Sequence, residues 1–247
     1  MDRMIYTAMS GATATMHRQQ VLAHNLANVN TTGFRAELAT FRAVPLRGDG
    51  ATTRVFALEA TAGHLDTPGS MMSTGRNLDV AAAGQAYFAI QGLDGLEAYT
   101  RAGNLQVSAN GELVGHSGLQ MLDEGGAPIN IPPGAEVVIA SDGTITAKVQ
   151  GQEPQNVGRL KMVTPNDEVQ LRRGDDGLFR GPEGEPLQQD PQARLSSGML
   201  EGSNVNPVSA MVDMIAAARQ FEVQMRMLQN AERNDQTASQ LLSLTGG

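Results

Sequence analysis

Both ends of the chain carry apolar side chains at heptad spacing, and this feature limits the possible folds more than any other. The N-terminal positions advance in alternating steps of four and three, with Gln19 as the one clearly polar member: Ile5, Met9, Ala12, Met16, Gln19, Ala23 and Leu26. The same spacing returns near the C-terminus, at Met211, Met214, Ala218, Phe221, Met225 and Leu228. Such spacing puts side chains on one stripe of a helix, and we call each of these two sets of residues a seam. Because each stripe is narrow and rich in Ala and Met, a single helix would be marginal, and we expect the two ends to pair as a coiled coil.

The sequence also indicates where these helices end. Helical periodicity runs over residues 4–29 and gives way to the amide-rich stretch AHNLANVNTTGFRAE, residues 23–37. Asn and Thr disfavour helix interiors because their side chains compete for backbone hydrogen bonds. We therefore expect a helix end here, with Gly33 as a left-handed cap and Phe34 as its hydrophobic contact. The second helix is predicted over 207–244, with Asn206 as N-cap and Pro207 in the first turn.

The region between the helices has a β-type pattern. Residues 36–78 contain Pro, Gly and Thr at short intervals, which favours short strands or extended arms. Residues 79–195 hold short runs rich in β-branched residues, separated by four turn signals that tolerate positive φ: Asp94-Gly95, Asn110-Gly111, Asp142-Gly143 and Asp176-Gly177. The prediction is an α+β fold, with an antiparallel, hairpin-rich all-β domain inserted between paired terminal helices. The predicted boundaries are 1–35, 36–78, 79–195 and 196–247.

Composition excludes several functional classes. The net charge of −8 and pI of about 5.0 argue against a nucleic-acid binder. No run approaches the roughly 20 apolar residues of a membrane span. The 247 residues contain no Cys, so disulfides and thiolate metal sites are ruled out. The N-terminus lacks the continuous apolar region of a signal peptide, and we expect it to be retained.

The sequence contains no pattern that predicts catalytic, cofactor-binding or metal-binding residues. His17 and His24 are seven apart but have no evident third ligand, and we interpret them as polar positions on a surface helix. The paired acids of DEGG (123–126) and DDG (175–177) coincide with turn signals and are interpreted as solvated turn residues. A secreted hydrolase and a binding module on a helical stalk remain as alternatives to a structural subunit. A hydrolase would need convergent titratable groups, and a binding module would not need a seam at both ends.

The amide-rich stretch also resembles a known family. NLANVNTTGFR has the form N-x-A-N-x-x-T-x-G-[FY]-[KR] found at the N-terminus of flagellar rod and hook proteins, with matches at Asn25, Ala27, Asn28, Thr31, Gly33, Phe34 and Arg35. SSGMLEGSNVNP, residues 196–207, resembles the C-terminal segment of that family, with matches at Gly198, Leu200, Glu201, Ser203, Asn204 and Val205. The opening residues, the length and VGRLKMV (157–163) most resemble a proximal-rod member, and a distal-rod member is the near alternative.

The resemblance implies a structural subunit of the bacterial flagellar basal-body rod, which transmits motor torque. It implies that other rod proteins, further copies of the chain and the flagellar type III export apparatus are its partners, in the periplasm. We expect the seam residues and the signature residues to make the assembly contacts. We also expect Gly33→Val to impair assembly more than folding of the β domain, since a helix cap would lie remote from the hairpins.

Overall fold

The computed structural model describes residues 2–45, 55–166, 169–174 and 176–244. Over these residues two α-helices, sixteen strands and one 3-10 helix (Pro182–Gly184) form an α+β fold. The helices are α1 (Asp2–Ala27) and α2 (Pro207–Leu244). The strands are β1 (Glu37–Pro45), β2 (Val55–His64), β3 (Met71–Ser73), β4 (Val80–Ala82), β5 (Tyr87–Gln91), β6 (Glu97–Thr100), β7 (Gln106–Val107), β8 (Leu113–Val114), β9 (Glu136–Ile139), β10 (Thr144–Lys148), β11 (Gln155–Arg159), β12 (Met162–Val163), β13 (Arg172–Arg173), β14 (Phe179–Arg180), β15 (Leu195–Ser197) and β16 (Met199–Glu201).

The chain divides into two compact units. The helical unit contains residues 1–27, 37–63 and 206–247, and the β unit contains residues 28–36 and 64–205. In the helical unit α1 contacts both α2 and β1, and β1 pairs with β2. The α2 start is as predicted, because the Oδ1 of Asn206 accepts hydrogen bonds from the amides of Val208 (3.0 Å) and Ser209 (3.1 Å). This side-chain cap satisfies two of the free donors of the first helical turn.

The contact face between α1 and α2 differs from the predicted seam at alternate positions. Met9 and Met16 are 58% and 47% exposed, whereas Ala8 and Thr15, each one residue earlier, are 4% exposed. In α2 the same shift replaces Met211, which is 51% exposed, by the buried Ala210. Small side chains let the helix axes approach closely, and this favours Ala and Thr over Met between the helices.

The other seam residues also differ in how far they are exposed. Ala12 is buried, and Ile5, Gln19, Leu26, Met214, Ala218, Phe221 and Leu228 are half-buried, whereas Ala23 and Met225 are exposed. Gly11 lies on the contact face, where an added Cβ would come 3.1 Å from the side-chain Cδ of Gln224. A glycine inside α1, which disfavours helix formation, is thus accounted for by close packing.

The β unit consists of short antiparallel sheets. A five-stranded sheet has the order β12-β5-β6-β14-β13, a three-stranded sheet has the order β11-β10-β9, and β15-β4, β16-β3 and β7-β8 form pairs. The four predicted turn glycines, Gly95, Gly111, Gly143 and Gly177, all have positive φ. The hairpin prediction is therefore confirmed.

Strand β5 explains why its sequence lacks alternation. Phe88 and Ile90 face the main apolar core, together with Leu113, Ile145 and Leu160. The intervening Tyr87 and Ala89 face a second cluster with Tyr99 and Phe179. Because both faces of β5 are covered, its residues form a continuous apolar run.

Candidate assembly site

The outward stripe of α1 is uncharged along its length. Seven exposed residues follow heptad spacing on this side: Tyr6, Met9, Thr13, Met16, Gln20, Ala23 and Ala27. Tyr6 is 56% exposed, close to the value for Met9. A solvated helix face normally carries charged side chains. An uncharged stripe with exposed Met and Tyr has the composition of a surface that packs against protein.

Helix α2 also exposes large apolar side chains. They are concentrated in its first half and continue into its middle: Val208, Met211, Val212, Ile215, Val223, Met225 and Met227. Charged residues are interspersed among them, and Glu222 and Arg226 form an i,i+4 pair, at 3.9 Å. The apolar surface of α2 is therefore broader than that of α1 but less continuous.

Signature residue Asn25 acts within the helical unit. It lies near the end of α1, where its Nδ2 donates to the Glu37 carbonyl (2.9 Å) and its Oδ1 accepts from the Glu37 amide (2.8 Å). The side-chain amide thus satisfies both backbone groups of the first residue of β1, as a neighbouring strand would. Asn25 is buried, so this signature position ties the helix to β1 inside one chain.

Past α1 the signature continues in the β unit. Asn28–Asn30 form a turn, and the Oγ1 of Thr31 donates to the Oδ1 of Asn28 (3.1 Å). Gly33 has the predicted positive φ of 68°, but α1 ends at Ala27 and Gly33 is therefore not its cap.

Gly33 is required because backbone passes close to it. Its amide donates to the Glu201 carbonyl (2.8 Å), and an added Cβ would lie 2.4 Å from the Arg101 carbonyl carbon and the Ala102 nitrogen. A Gly33 substitution therefore acts directly on the β unit. The expectation that Gly33→Val impairs assembly more than folding of the β domain assumed that Gly33 lies remote from the hairpins, and this assumption is wrong.

Glu201 is the centre of a buried charge cluster. Its Oε1 lies 2.9 Å from the Nη2 of Arg35, and its Oε2 accepts from the Nε of Arg101 (2.8 Å) and also from the Nη2 of Arg101. The amide of Gly69 donates to Oε1 (3.0 Å). All three charged side chains are at most 1% exposed, so the single carboxylate compensates two buried guanidinium groups.

Further donors of the two arginines bind backbone carbonyls, whereas the buried Nε of Arg35 has no hydrogen-bond partner within the described residues. Arg101 donates to the carbonyls of Ala82 (3.1 Å), Gly84 (3.0 Å) and Ala86, and Arg35 donates to that of Thr67. Burial lowers the pKa of Arg101, and the nearby Glu201 carboxylate opposes this shift.

Arg101 was not among the predicted site residues. One feature of the sequence does point to it: Arg101 directly follows the strand residues AYT (98–100), and an arginine that is buried requires an acidic partner.

Phe34 and the second signature segment lie in the same unit as this cluster. Phe34 is buried with the guanidinium of Arg173 4.4 Å from its ring centre, and the Nη1 of Arg173 donates to the Arg35 carbonyl (3.2 Å). Leu200 is 9% exposed, and Ser203, Asn204 and Val205 are half-buried. The Oγ of Ser203 accepts from the Val205 amide (3.2 Å). The structure thus brings residues 28–35 of the first signature segment together with the second segment within the β unit.

A groove of about 380 Å³ lies elsewhere in the β unit, lined by Gln91, Gly95, Leu96, Glu97, Leu122, Glu124, Gly125, Gly126, Lys161 and Pro186. Its Glu97 and Lys161 are paired at 2.8 Å, and the Tyr99 hydroxyl donates to Glu97 (2.7 Å). Burial raises the pKa of Tyr99, so this hydroxyl stays protonated. The groove therefore presents a closed ion pair, with the neutral phenol of Tyr99 buried behind it.

Asp123 of DEGG has a turn role, since its Oδ1 accepts from the amides of Gly125 and Ala127, both at 2.9 Å. Asp175 of DDG lies outside the described residues. His24 lies 3.1 Å from the Glu37 carboxylate, and the His17 ring meets Phe41 edge-on. Within the described ranges no three His, Cys, Asp or Glu side chains are grouped as metal ligands. Nor does either helix, over the residues the structure covers, have a stretch long and apolar enough to cross a membrane.

These features define a class of protein: a structural subunit with apolar outer helix faces and a tightly tied β unit. Comparison with known proteins identifies the family. Residues 5–35 match the family described as flagella basal body rod protein, residues 81–147 match the flagellar hook protein FlgE/F/G D1 domain, and residues 196–241 match the flagellar basal body rod FlgEFG protein C-terminal domain.

Whole-chain relatives agree with these matches. The chain is 47% identical to the flagellar basal-body rod protein FlgF of Salmonella typhimurium, over 99% of this chain and 100% of the relative. It is 32% identical to FlgF of Caulobacter vibrioides over 98% of both chains, and 30% identical to the rod protein FlgG of Agrobacterium fabrum over 93% of this chain and 95% of the relative. The chain belongs to the flagellar basal-body rod protein family, and it is a structural subunit of the rod.

Proposed function

We propose that the chain is built into the rod through its terminal helices, which pair as a coiled coil and present their outer faces to neighbouring subunits. The observation that carries this proposal is the uncharged heptad stripe on the outside of α1. Heptad spacing allows a further helix to pack along the whole stripe. Exposed Met side chains adapt to such a partner because the thioether chain is flexible.

The partners we propose are other copies of the chain and the rod proteins FlgB, FlgC and FlgG, in the proximal part of a periplasmic rod that transmits motor torque. The higher identity to the relatives named FlgF supports the proximal position over a distal, FlgG-like one. Delivery is by the flagellar type III export apparatus without cleavage of the N-terminus. We infer a purely structural role without a catalysed reaction or a cofactor, and the pairing of Glu97 with Lys161 in the groove of the β unit supports it.

A Met→Glu substitution on the outer stripe of α1 tests the helical contact. Met16→Glu puts a carboxylate where we expect a neighbouring helix, and an unpaired charge in a packed interface costs several kcal/mol. In the isolated chain the side chain is 47% exposed, so the thermal melting curve should be nearly unchanged. The measurement is swimming in soft agar by a strain that lacks the gene and carries the variant, with quantification of the chain in purified basal bodies.

Met72→Glu is the matched control. Met72 lies on β3 in the β unit and is 46% exposed, so the chemical change and the exposure are the same. We expect Met72→Glu to swim like the unsubstituted chain and Met16→Glu to be absent from basal bodies. Normal incorporation of Met16→Glu would refute the proposed helical contact.

A further inference from the structure

The chain passes between its two units at four points, at residues 27/28, 36/37, 63/64 and 205/206. On the β-unit side, three of these points lie within two residues of Ala36, Leu65 and Asn204. Any load or ordering that is passed along the chain at these three crossings goes through these segments. The hydrogen bonds that join these segments within the β unit therefore matter for the function in the rod.

One side chain connects all three segments. The Oδ1 of Asn204 accepts from the Ala36 amide (2.7 Å), and its Nδ2 donates to the carbonyls of Leu65 and Thr67, both at 2.9 Å. The backbone amide of Asn204 donates to the Phe34 carbonyl (3.3 Å). A side-chain amide has two donor hydrogens and one acceptor oxygen, and here each kind is used.

The same segments are joined a second time without Asn204. The Leu65 amide donates to the Ala36 carbonyl (2.9 Å), and the Thr67 carbonyl also accepts from Arg35 of the buried charge cluster. Residues 34–36, 65–67 and 204 thus form one hydrogen-bonded group, which we call the exit junction. It lies apart from the two apolar clusters of the β unit, none of whose members belongs to it.

We propose that Asn204 is the positioning residue of the exit junction: it locks together the segments by which the chain leaves the β unit, and a rod subunit needs this lock for assembly while the β unit does not need it to fold. This inference rests on the proposed function. The lock depends on hydrogen-bond donors, because only a donor can bind the two carbonyls that Nδ2 contacts. An aspartate has the same shape but places a second acceptor against those carbonyls.

The test compares Asn204→Asp with Asn206→Asp in the full-length chain. Asn206 uses only its Oδ1, as the cap of α2, and aspartate caps a helix as well as asparagine does. Hydrogen exchange should accelerate about tenfold or more at the Leu65 amide in Asn204→Asp, because the Leu65 carbonyl loses its donor and faces a carboxylate, whereas the Ala36 amide keeps an oxygen acceptor. Amides of the core strands, such as Leu113 and Met121, should exchange as in the unsubstituted chain. Asn204→Ala loses the same donors without adding charge and also loses the oxygen acceptor, so both the Leu65 and the Ala36 amides should exchange faster.

Swimming of a strain that lacks the gene provides the functional readout. We expect Asn206→Asp to restore swimming and both Asn204 variants to fail. If the Asn204 variants swim normally although Leu65 exchanges faster, the junction has no role in the rod. If exchange accelerates throughout the β unit, or does not change at Leu65, Asn204 is not a local lock. If Met16→Glu is incorporated normally while the Asn204 variants still fail to swim, the proposed helical contact fails and this inference stands.

Discussion

The Nη2 of Arg35 and the Oε1 of Glu201 lie 2.9 Å apart with both side chains 1% exposed, and they join the first signature segment to the last strand of the β unit. A buried ion pair contributes little net stability, but removal of one partner leaves a desolvated charge. Removal of the Glu201 carboxylate would leave two desolvated charges, because Arg101 is paired with the same carboxylate as Arg35.

Glu201→Gln should therefore destabilise the β unit by about 3–5 kcal/mol. Glu97→Gln is the matched control, because it removes the carboxylate of another buried pair, Glu97 and Lys161, in the same unit. Glu97→Gln leaves one ammonium group without its counter-charge, whereas Glu201→Gln leaves two guanidinium groups without theirs. Lys161 also lines a groove that water can enter. Urea unfolding followed by circular dichroism measures both. Equal losses for the two variants would contradict the role of Glu201 as a shared counter-charge.

Gly33→Ala should destabilise the β unit by about 1–3 kcal/mol more than Gly75→Ala, the range for overpacking. The two glycines have almost the same φ, 68° and 69°, so the backbone strain of an added Cβ is matched. They differ in space, since the Cβ at Gly33 meets the Arg101 and Ala102 backbone, whereas nothing lies within 4 Å of the one at Gly75. Thermal melting of the two variants gives the difference, and a difference near zero would mean that the backbone yields without cost.

The helices could be predicted closely from the sequence, but their inner face could not. Heptad spacing fixes the positions every seven residues, such as Ile5 and Ala12, and leaves the intermediate member of each heptad ambiguous. The choice of Met9 over Ala8 followed hydrophobicity, whereas close approach of two helices selects the smaller residue. The larger side chains are left on the outside, where a single chain offers no partner to reveal their role.

The turns and the cluster show the same contrast. Asn-Gly and Asp-Gly turns are specified by local backbone requirements, so the sequence alone identifies them. The contact of Arg101 with Glu201 joins distant parts of the chain, and no local pattern identifies Glu201 as the partner. The resemblance to the rod family picked out Glu201 and Gly33, but only the structure shows that both act inside the β unit.

Acidification should weaken the β unit through His64. The ring lies 2.9 Å from the Asp66 carboxylate and meets Phe179 edge-on. Burial lowers the pKa of His64 most strongly, Arg35 and Arg173 lower it further, and Asp66 opposes them. Since the folded-state pKa lies below the unfolded value of about 6.5, the folded protein binds fewer protons, and stability is lost as the pH falls below about 6.5.

Melting temperatures measured between about pH 7 and pH 5 would show this loss. The decrease should be shallower in His64→Gln, which cannot titrate at this position. His116→Gln, at an exposed turn, serves as the control and should retain the slope of the unsubstituted chain. A His64→Gln slope identical to that of the control would exclude His64 as the source.

Finally, we predict that the terminal helices open readily in the dilute monomer and become protected only on assembly. Their contact face consists largely of small or polar residues, including Ala8, Ala12, Thr15, Ala210 and Ala217. Burial of apolar area returns only about 25 cal/mol per Å². Ordering the backbone costs roughly 1–2 kcal/mol per residue, so this face stabilises the pair weakly.

Hydrogen exchange on a confirmed monomer and on assembled basal bodies tests this prediction. Amides of residues 4–27 and 207–244 should exchange almost at once in the monomer and slowly in the rod. The hairpin amides of Gly111 and Gly143, which donate to the carbonyls of Ser108 and Ala140 at 2.9 Å, should stay protected in both states and serve as the internal reference. Strong protection of both terminal segments in the monomer would show that the helix pair is stable by itself, and control of assembly would then have to lie elsewhere in the chain.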